Sequence, residues 1–329
     1  MMMKRLFSLF SLFAACAALA GAPAPASAQD YPARQVTLVV GYSAGGAVDA
    51  VARLVGQKLA DALGKPFVVD NKTGASGNIG AQFVARAPAD GYTLLVAPLT
   101  SYAMNALLFP ANVGYQLDKD FTGVSLLGYL PLVLVVNDTV PAQTAAELVK
   151  QAKARPGALS YGSSGNGSIE HVAGEMFKRQ AGVSMVHIPY RGAAPAMSDL
   201  IGGQVQLMFA TAPTAVGNLK TGKLRPLAAL TRERISALPE LPTALEAGYP
   251  GFEVASTYAI LAPAATPRAV VQKLNQEIAK LLQSPEVKSR FQVLGIEMLG
   301  STPEEATQRM GQELAKWGKA IKDSQIKAD

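Results

Sequence analysis

Cysteine is almost absent from this 329-residue sequence, since Cys16 is the only one. A single cysteine forms no internal disulfide and supports neither a cysteine-rich zinc site nor a C-x-x-C redox motif. Histidine is nearly as scarce, and the two residues, His171 and His187, do not stand at metal-ligand spacing. We therefore expect a fold held together by its apolar core, with neither a metal nor a cofactor.

Clustered charge is also missing. The chain has 30 basic and 24 acidic residues, and the basic ones are scattered rather than grouped. Aromatic residues make up only 7%, and no segment combines them with a basic stripe, which disfavours nucleic acid as a partner. Internal repeats with a period of roughly 20 to 50 residues are lacking as well, which excludes a solenoid.

The amino terminus carries an export pattern. A basic start is followed by an apolar run and by the A-x-A tripeptide at residues 26–28, which is typical of a cleaved secretory signal. We expect residues 1–28 to be removed and the mature chain to begin near Gln29, in the periplasm. The alternative is a lipoprotein, because the residues before Cys16 loosely resemble a lipobox. A membrane anchor is disfavoured, since prolines at 21–25 interrupt the apolar run.

Strand-like and helix-like segments alternate through the rest of the chain. The apolar run at 36–40 predicts a strand, and apolar residues at helical spacing over 48–59 predict a helix that Gly64 ends. Such alternation indicates an α/β fold with mostly parallel sheets. The pattern restarts after residue 120, and two long apolar stretches, at 124–136 and 258–262, are candidates for strands that cross between two lobes.

Two small-residue loops stand between a strand and a helix. They occupy residues 41–46 and 162–168. A loop of this kind directs unpaired backbone N–H groups and the positive end of a helix dipole towards one point, which suits an anion. Two such loops predict an anion held from both sides.

At these loops the sequence resembles a known family. The resemblance is carried by ordered blocks at residues 41–49, 71–80, 90–95, 161–168, 187–192, 238–243 and 246–252. Together they are similar to the signature of the Bug family, the periplasmic receptors of tripartite tricarboxylate transporters. One departure is Gly41-Tyr42, where many relatives are expected to have Pro-Phe or Pro-Tyr.

The resemblance implies a type II periplasmic binding protein. Its lobes would comprise residues 29–128 with 255–329, and residues 129–254, joined by two crossing strands. Such a receptor would be a monomer that closes on a small dicarboxylate, tricarboxylate, acidic amino acid or aromatic acid and delivers it to integral membrane transporter subunits. A sensor that presents its closed form to a sensor kinase would use the same lobes, and the sequence does not separate these outputs.

The family's binding mode also predicts ligand contacts. In the first loop these are Tyr42, Ser43, Ala44, Gly45 and Gly46, and in the second loop Ser163, Ser164, Gly165 and Ser168. Close approach of ligand to backbone is what the glycines permit. Asp49 is expected to have a structural role at the start of its helix.

Four further candidates follow from position and chemistry. Thr100 and Ser101 come after a predicted parallel strand, at the end where ligands bind, although a helix N-cap is an equal alternative. His171 lies just inside the helix after the second loop, where a structural role is the alternative. Arg191 offers a guanidinium for a carboxylate, or for an ion pair elsewhere.

A serine hydrolase is the competing enzyme hypothesis. Residues 41–45 read G-x-S-x-G between a strand and a helix, as in a nucleophile elbow. Asp90 or Asp138 with His171 or His187 would complete a triad on paper. The motif follows the first strand of the mature chain, however, where no oxyanion loop precedes it. We therefore expect no enzyme activity and no catalytic residue.

Overall fold

The computed structural model describes residues 31–323 and residue 326. The expected signal peptide, with Cys16, lies outside the described residues. The strands are β1 (Val36–Val40), β2 (Phe67–Asn71), β3 (Thr93–Pro98), β4 (Phe121–Asn137), β5 (Ser160–Ser163), β6 (Val186–Pro189), β7 (Leu207–Thr211), β8 (Leu224–Ala229), β9 (Ala255–Pro263) and β10 (Glu297–Met298).

The helices alternate with these strands through most of the chain. They are α1 (Ala47–Leu63), α2 (Asn78–Ala85), α3 (Leu99–Leu108), α4 (Ala145–Ala154), α5 (Ile169–Ala181), α6 (Ala193–Ile201), α7 (Ala212–Leu219), α8 (Arg268–Leu282), α9 (Pro285–Val293) and α10 (Pro303–Asp323), with a 3-10 turn at Ala75–Gly77.

The first strand and helix form as the apolar pattern predicts. β1 is buried over nearly its whole length and pairs in parallel with β2 and β3. Helix α1 buries the face that carries Val51, Val55 and Leu59, which is the stripe expected at a spacing of three and four residues. It ends at Gly64, whose φ of 66° lies in the left-handed region that glycine adopts without strain.

Strand β4 joins two sheets. Its residues 121–131 pair with β9, and residues 132–137 pair with β7 and β8. The strand order is β2-β1-β3-β9-β4-β7-β5-β6. We call the sheet of β1, β2, β3, β9 and β10 with its helices α1–α3 and α8–α10 the first lobe, and the sheet of β5–β8 with α4–α7 the second lobe. The crossing predicted at 124–136 is confirmed.

The return crossing lies earlier than the apolar run at 258–262. Val254 accepts a bond from the Leu132 amide at 3.2 Å and donates to the Leu230 carbonyl at 2.8 Å, so the chain passes between the lobes just before β9. Strand β9 then pairs with β3 and β4 inside the first lobe. The exact residue bounds of the lobes stay a prediction.

The sheets are mixed rather than mostly parallel. β1 pairs in parallel with β2 and β3, and β5 with β6 and β7. All pairings of β4 and β9 are antiparallel, because a strand that crosses between lobes runs against the strands on both sides. The prediction of parallel sheets therefore holds for the outer strands, whose carboxyl ends border the space between the lobes.

Candidate ligand-binding site

A cleft of about 400 Å³ lies between the lobes. One wall belongs to the first lobe and is formed by the loop after β1, the 3-10 turn and helix α3. The other belongs to the second lobe and is formed by the loop from β5 into α5. The lining residues are Tyr42, Ser76, Ser101, Met104, Asn105 and Phe109 on the first side, and Ser164, Gly165, Asn166, Gly167, Ser168, Ile169 and Glu170 on the second.

The second wall presents a helix start. Ser168 is the N-cap of α5, and its side chain accepts a bond from the His171 amide at 3.3 Å. The amides of Ile169 and Glu170, the first two helical residues, have no acceptor within the helix. They carry the partial positive charge of the helix dipole. This side of the cleft is therefore suited to a carboxylate.

Two glycine amides of the second loop form hydrogen bonds within the second lobe rather than pointing unpaired into the cleft. The Gly165 amide donates to Ser163 Oγ, and the Gly167 amide donates to His171 Nδ1, both at 3.1 Å. Gly165 has a φ of 136°, and a Cβ there would lie 3.3 Å from the Tyr190 carbonyl oxygen. The loop conformation thus requires glycine at this position. Because the glycine amides are already bonded, the groups that remain to contact an anion are the amides of Ile169 and Glu170.

Both histidines lie behind this loop. Their rings stack with centroids 3.9 Å apart, and His187 Nε2 is 2.6 Å from the hydroxyl of Ser163. Burial, together with the neighbouring His171, lowers the pKa of His187 to about 4. His187 is therefore neutral at pH 7 and supports Ser163, which is itself fully buried. Among the described residues, no cluster of histidine, cysteine or acidic side chains is arranged to hold a metal.

The lowered pKa of His187 predicts a pH-dependent stability. Between the folded pKa of about 4 and the unfolded value of 6.5, the unfolded chain binds a proton that the folded chain does not. The stabilisation is present above pH 6.5 and is lost as the pH falls towards 4. Because the ring is only partly buried and solvent screens its charge, we expect a loss of about 1 to 2 kcal/mol. Urea unfolding at several pH values measures how the free energy of unfolding changes with pH. The fall in this free energy as the pH is lowered from 6.5 to 4 should be smaller for His187→Gln than for the wild type, and an equal fall would contradict the prediction.

The first wall is built around the Ser76 carbonyl. Tyr42 donates its hydroxyl to this oxygen at 3.1 Å, and Asn105 donates its Nδ2 at 2.9 Å. Ser76 has a φ of 55°, a left-handed conformation that is strained for residues other than glycine and is frequent at binding sites. Burial raises the pKa of Tyr42 to about 12, so its hydroxyl remains a neutral donor or acceptor beside Ser101.

The space around Gly41 leaves no room for a side chain. A Cβ at this position would lie 2.5 Å from the Gly77 carbonyl and 2.6 Å from the hydroxyl of Tyr102. The ring of Tyr102 packs against Tyr42 with centroids 6.3 Å apart. The glycine therefore leaves the space that a second tyrosine fills behind the cleft wall.

Replacing Gly41 with alanine should destabilise the fold. The added methyl group displaces Gly77 or Tyr102 in a packed region, and we expect a loss of about 1 to 3 kcal/mol in the free energy of unfolding. Gly311→Ala is the matched control, because Gly311 is a helical residue with open space around its Cβ. The control should gain about 0.5 to 1 kcal/mol. Denaturant titration measures both, and equal stabilities would be inconsistent with this packing.

The remainder of the first loop lies outside the cleft lining. Ser43, Ala44, Gly45 and Gly46 are exposed, and the Gly45 amide donates to Asp49 Oδ2 at 2.9 Å. Burial opposes ionisation of Asp49, but the bonds from Arg53, Gly45 and Asn71 outweigh it and lower its pKa to about 2. The protein's own carboxylate thus occupies the start of α1. The structural role predicted for Asp49 is confirmed.

The structure brings five of the predicted ligand contacts to the cleft: Tyr42, Ser101, Ser164, Gly165 and Ser168. Thr100 is instead fully buried and donates to Glu313 at 2.9 Å. The alternative of an N-cap at Thr100 or Ser101 is wrong, because α3 begins at Leu99 after Pro98. Arg191 lies in an exposed turn after β6. Ligand contact by the predicted residues outside the lining, which are Ser43, Ala44, Gly45, Gly46, Thr100, Ser163, His171 and Arg191, stays a prediction.

Sequence reasoning missed eight lining residues: Ser76, Met104, Asn105, Phe109, Asn166, Gly167, Ile169 and Glu170. Met104, Asn105 and Phe109 are in helix α3 or directly after it, and the sequence of this helix has no clear apolar period from which it could be predicted. The left-handed backbone at Ser76 has no sequence signal, because non-glycine residues rarely adopt it. The last four lie within two residues of Ser168, which was predicted as a ligand contact, so the small-residue loop that leads into the helix was the available signal.

The elements of a hydrolase are not assembled around Ser43. This serine lies in the exposed first loop, whereas His187 bonds to Ser163 and His171 stacks on His187 in the second lobe. The G-x-S-x-G sequence is thus a loop into α1 whose glycine amide binds Asp49. No described helix has the length and apolarity that a membrane span needs.

Comparisons with known proteins agree with this geometry. BugT of Bordetella pertussis is 35% identical over 327 residues, covering 99% of both chains. The structure of an R. palustris protein with adipate is 39% identical, has a TM-score of 0.78 and covers 91% of this chain and 99% of that one. MatC from Rhodopseudomonas palustris, solved with malate, is 33% identical with a TM-score of 0.72 and covers 88% and 100%.

The family model that matches residues 51–326 is the tripartite tricarboxylate transporter family receptor. Its members are solute-binding receptors, so the expectation that the chain is not an enzyme is confirmed by the family itself. BugD, described as a periplasmic binding protein, is 34% identical with a TM-score of 0.73 and covers 91% of this chain and 100% of that one. The match spans most of the chain, and the two lobes with their cleft have the architecture of a binding protein. This chain therefore belongs to the receptor family of the tripartite tricarboxylate transporters.

Proposed function

We propose that this chain captures a small carboxylate between its lobes in the periplasm and delivers it to the membrane subunits of a tripartite tricarboxylate transporter. The observation that carries the proposal is the start of α5, which forms one wall of the cleft. The free amides of Ile169 and Glu170 and the hydroxyl of Ser168 supply donors for one carboxylate. Export would follow cleavage near Gln29, and the receptor acts as a monomer.

The first lobe completes the pocket without a cationic side chain. Tyr42, Ser101 and Asn105 offer neutral polar groups, and Met104 and Phe109 offer apolar surface. Such a wall suits an uncharged carbon skeleton or a second polar group reached through water. The adipate and malate in the related structures are small dicarboxylates, and a cleft of about 400 Å³ has room for such a molecule.

Binding would act by shifting a conformational equilibrium. The lobes are joined at β4 and at Val254, and a ligand that contacts both walls stabilises the arrangement in which the walls are close. The membrane subunits would recognise that arrangement. The ligand has this effect because it contacts both walls only in the arrangement in which they are close.

A carboxylate panel tests the proposal. Purified mature protein is heated with adipate, malate, citrate, glutamate or benzoate, with adipamide as the uncharged control. A ligand at 100 times its Kd stabilises the fold by about 2.7 kcal/mol, so at least one acid should raise the Tm by several degrees while adipamide does not. Uptake of that acid should be lost on deletion of the gene. No rise with any acid, or an equal rise with adipamide, would contradict the proposal.

A further inference from the structure

An acidic side chain forms part of this anion-binding cleft. Glu170 belongs to the second wall, and its relative exposure is 6%. A buried carboxylate in a cleft that attracts carboxylates is unfavourable unless it has a partner, because like charges repel and lost hydration must be replaced. The contacts of Glu170 therefore indicate which chemical group of a ligand would lie beside its carboxylate in the cleft.

The protein satisfies only part of this carboxylate. Glu170 Oε2 accepts a bond from the hydroxyl of Ser164 at 2.7 Å. None of the ion pairs among the described residues includes Glu170. An ionised carboxylate offers about four acceptor positions, and buried polar groups are normally paired. The remaining acceptor positions are open to a donor in the cleft.

The location of Glu170 fixes where that donor must be. Glu170 is the second residue of α5, and the chain rises about 1.5 Å per residue along a helix. Its side chain therefore starts beside the amides of Ile169 and Glu170 and the Ser168 hydroxyl, all within the first turn. A carboxylate bound by these donors would have its neighbouring substituent close to the side chain of Glu170.

We propose that Glu170 makes the receptor selective for acids that carry an ammonium or a hydroxyl group on the carbon next to the bound carboxylate. The inference rests on the proposed carboxylate-binding function and deepens it. The ligand class is 2-amino and 2-hydroxy acids. An ammonium group donates charge-assisted bonds to Glu170, and a hydroxyl group donates one such bond. A plain diacid offers no donor there, so Glu170 keeps only its bond from the Ser164 hydroxyl.

Matched ligand series provide the test. Calorimetry compares succinate, malate and aspartate, then glutarate, 2-hydroxyglutarate and glutamate, then adipate and 2-aminoadipate. In at least one series the substituted acids should bind at least about tenfold more tightly than the plain diacid. The ranking of malate against aspartate identifies whether hydroxyl or ammonium is preferred. A wild-type preference for the plain diacid in every series overturns the proposal without any variant.

The variant Glu170→Gln then tests whether Glu170 causes the preference for substituted acids over plain diacids. This variant keeps the shape of the side chain and removes its charge, and the preference should fall to about threefold or less. Glu175→Gln is the matched control, because Glu175 lies on the same helix, pairs with Lys178 and is not part of the cleft lining. The control should keep the wild-type ratio. An unchanged ratio in Glu170→Gln, or an equal loss in Glu175→Gln, overturns the assignment.

The test separates this inference from the function on which it rests. Binding of plain and substituted acids with equal affinity leaves the receptor function intact and overturns the role of Glu170. Absence of binding by every acid in the wild type, with the protein folded by its melting curve, contradicts the receptor function and the inference together.

Discussion

Replacing Glu313 with alanine should cost about 3 to 5 kcal/mol in the free energy of unfolding, because it removes the acceptor of a buried network. Glu313 is 2% exposed. Its carboxylate accepts bonds from Thr100 at 2.9 Å, Thr257 at 3.1 Å and Trp317 at 2.6 Å. Arg309 Nε adds an ion pair at 2.8 Å.

The loss is large because the groups that donate to Glu313 are buried and cannot form hydrogen bonds with water instead. Thr257 and Trp317 are almost completely buried, so the hydroxyl and the N–H group that they donate would remain unpaired beside a cavity. The buried Thr100 hydroxyl would keep only the Ala255 carbonyl, at 3.2 Å, as its acceptor. The network also ties α10 to α3 and to β9, which follows the return crossing. This side chain therefore links three elements of the first lobe, one of which, α3, forms part of the cleft wall.

Chemical denaturation measures this effect. Gln312→Ala is the matched control, since Gln312 is the exposed neighbour on the same helix and should change stability by no more than about 0.5 kcal/mol. Glu313→Gln should fall between the two, because the amide keeps an acceptor oxygen but loses the charge that faces Arg309. A loss of less than about 1 kcal/mol for Glu313→Ala would show that the network contributes little.

The second large effect concerns ligand affinity. Gly165→Ala should weaken binding by at least about tenfold, since the φ of 136° is unsuited to alanine and the new Cβ would lie 3.3 Å from the Tyr190 carbonyl. The loop must then shift away from the start of α5. Calorimetry with adipate or malate, whichever raises the Tm, measures the change.

A glycine away from the cleft provides the control. Gly157 has a φ of 78° in the same lobe and is not among the cleft-lining residues. Alanine at this position should cost stability through backbone strain, about 1 kcal/mol or more, and leave the Kd within about twofold. An affinity for Gly165→Ala equal to that of the wild type would refute the role of this loop.

Local patterns predicted much of the fold. The apolar run at 36–40 and the helix ended by Gly64 specify their own structure over a few residues. The loop at 162–168 was found for the same reason, because small residues stand there between a strand and a helix.

The site was only partly predictable because it depends on contacts between distant segments. Strand, small-residue loop and helix recur at both predicted sites, but the acceptor of the Gly45 amide is Asp49 within the protein, whereas the start of α5 forms a cleft wall. The left-handed turn at Ser76 is held by Tyr42 and Asn105 from other elements. Helix α3 carries a weak apolar period, since it is covered by α10 and β9.

A crystal structure of the protein with the acid that raises its Tm most would test the central claim directly. We expect one carboxylate within hydrogen-bond distance of the amides of Ile169 and Glu170 and of the Ser168 hydroxyl, with Tyr42 and Ser101 on the opposite side. Electron density for the acid outside this cleft, or a carboxylate bound at the start of α1 instead of α5, would contradict it.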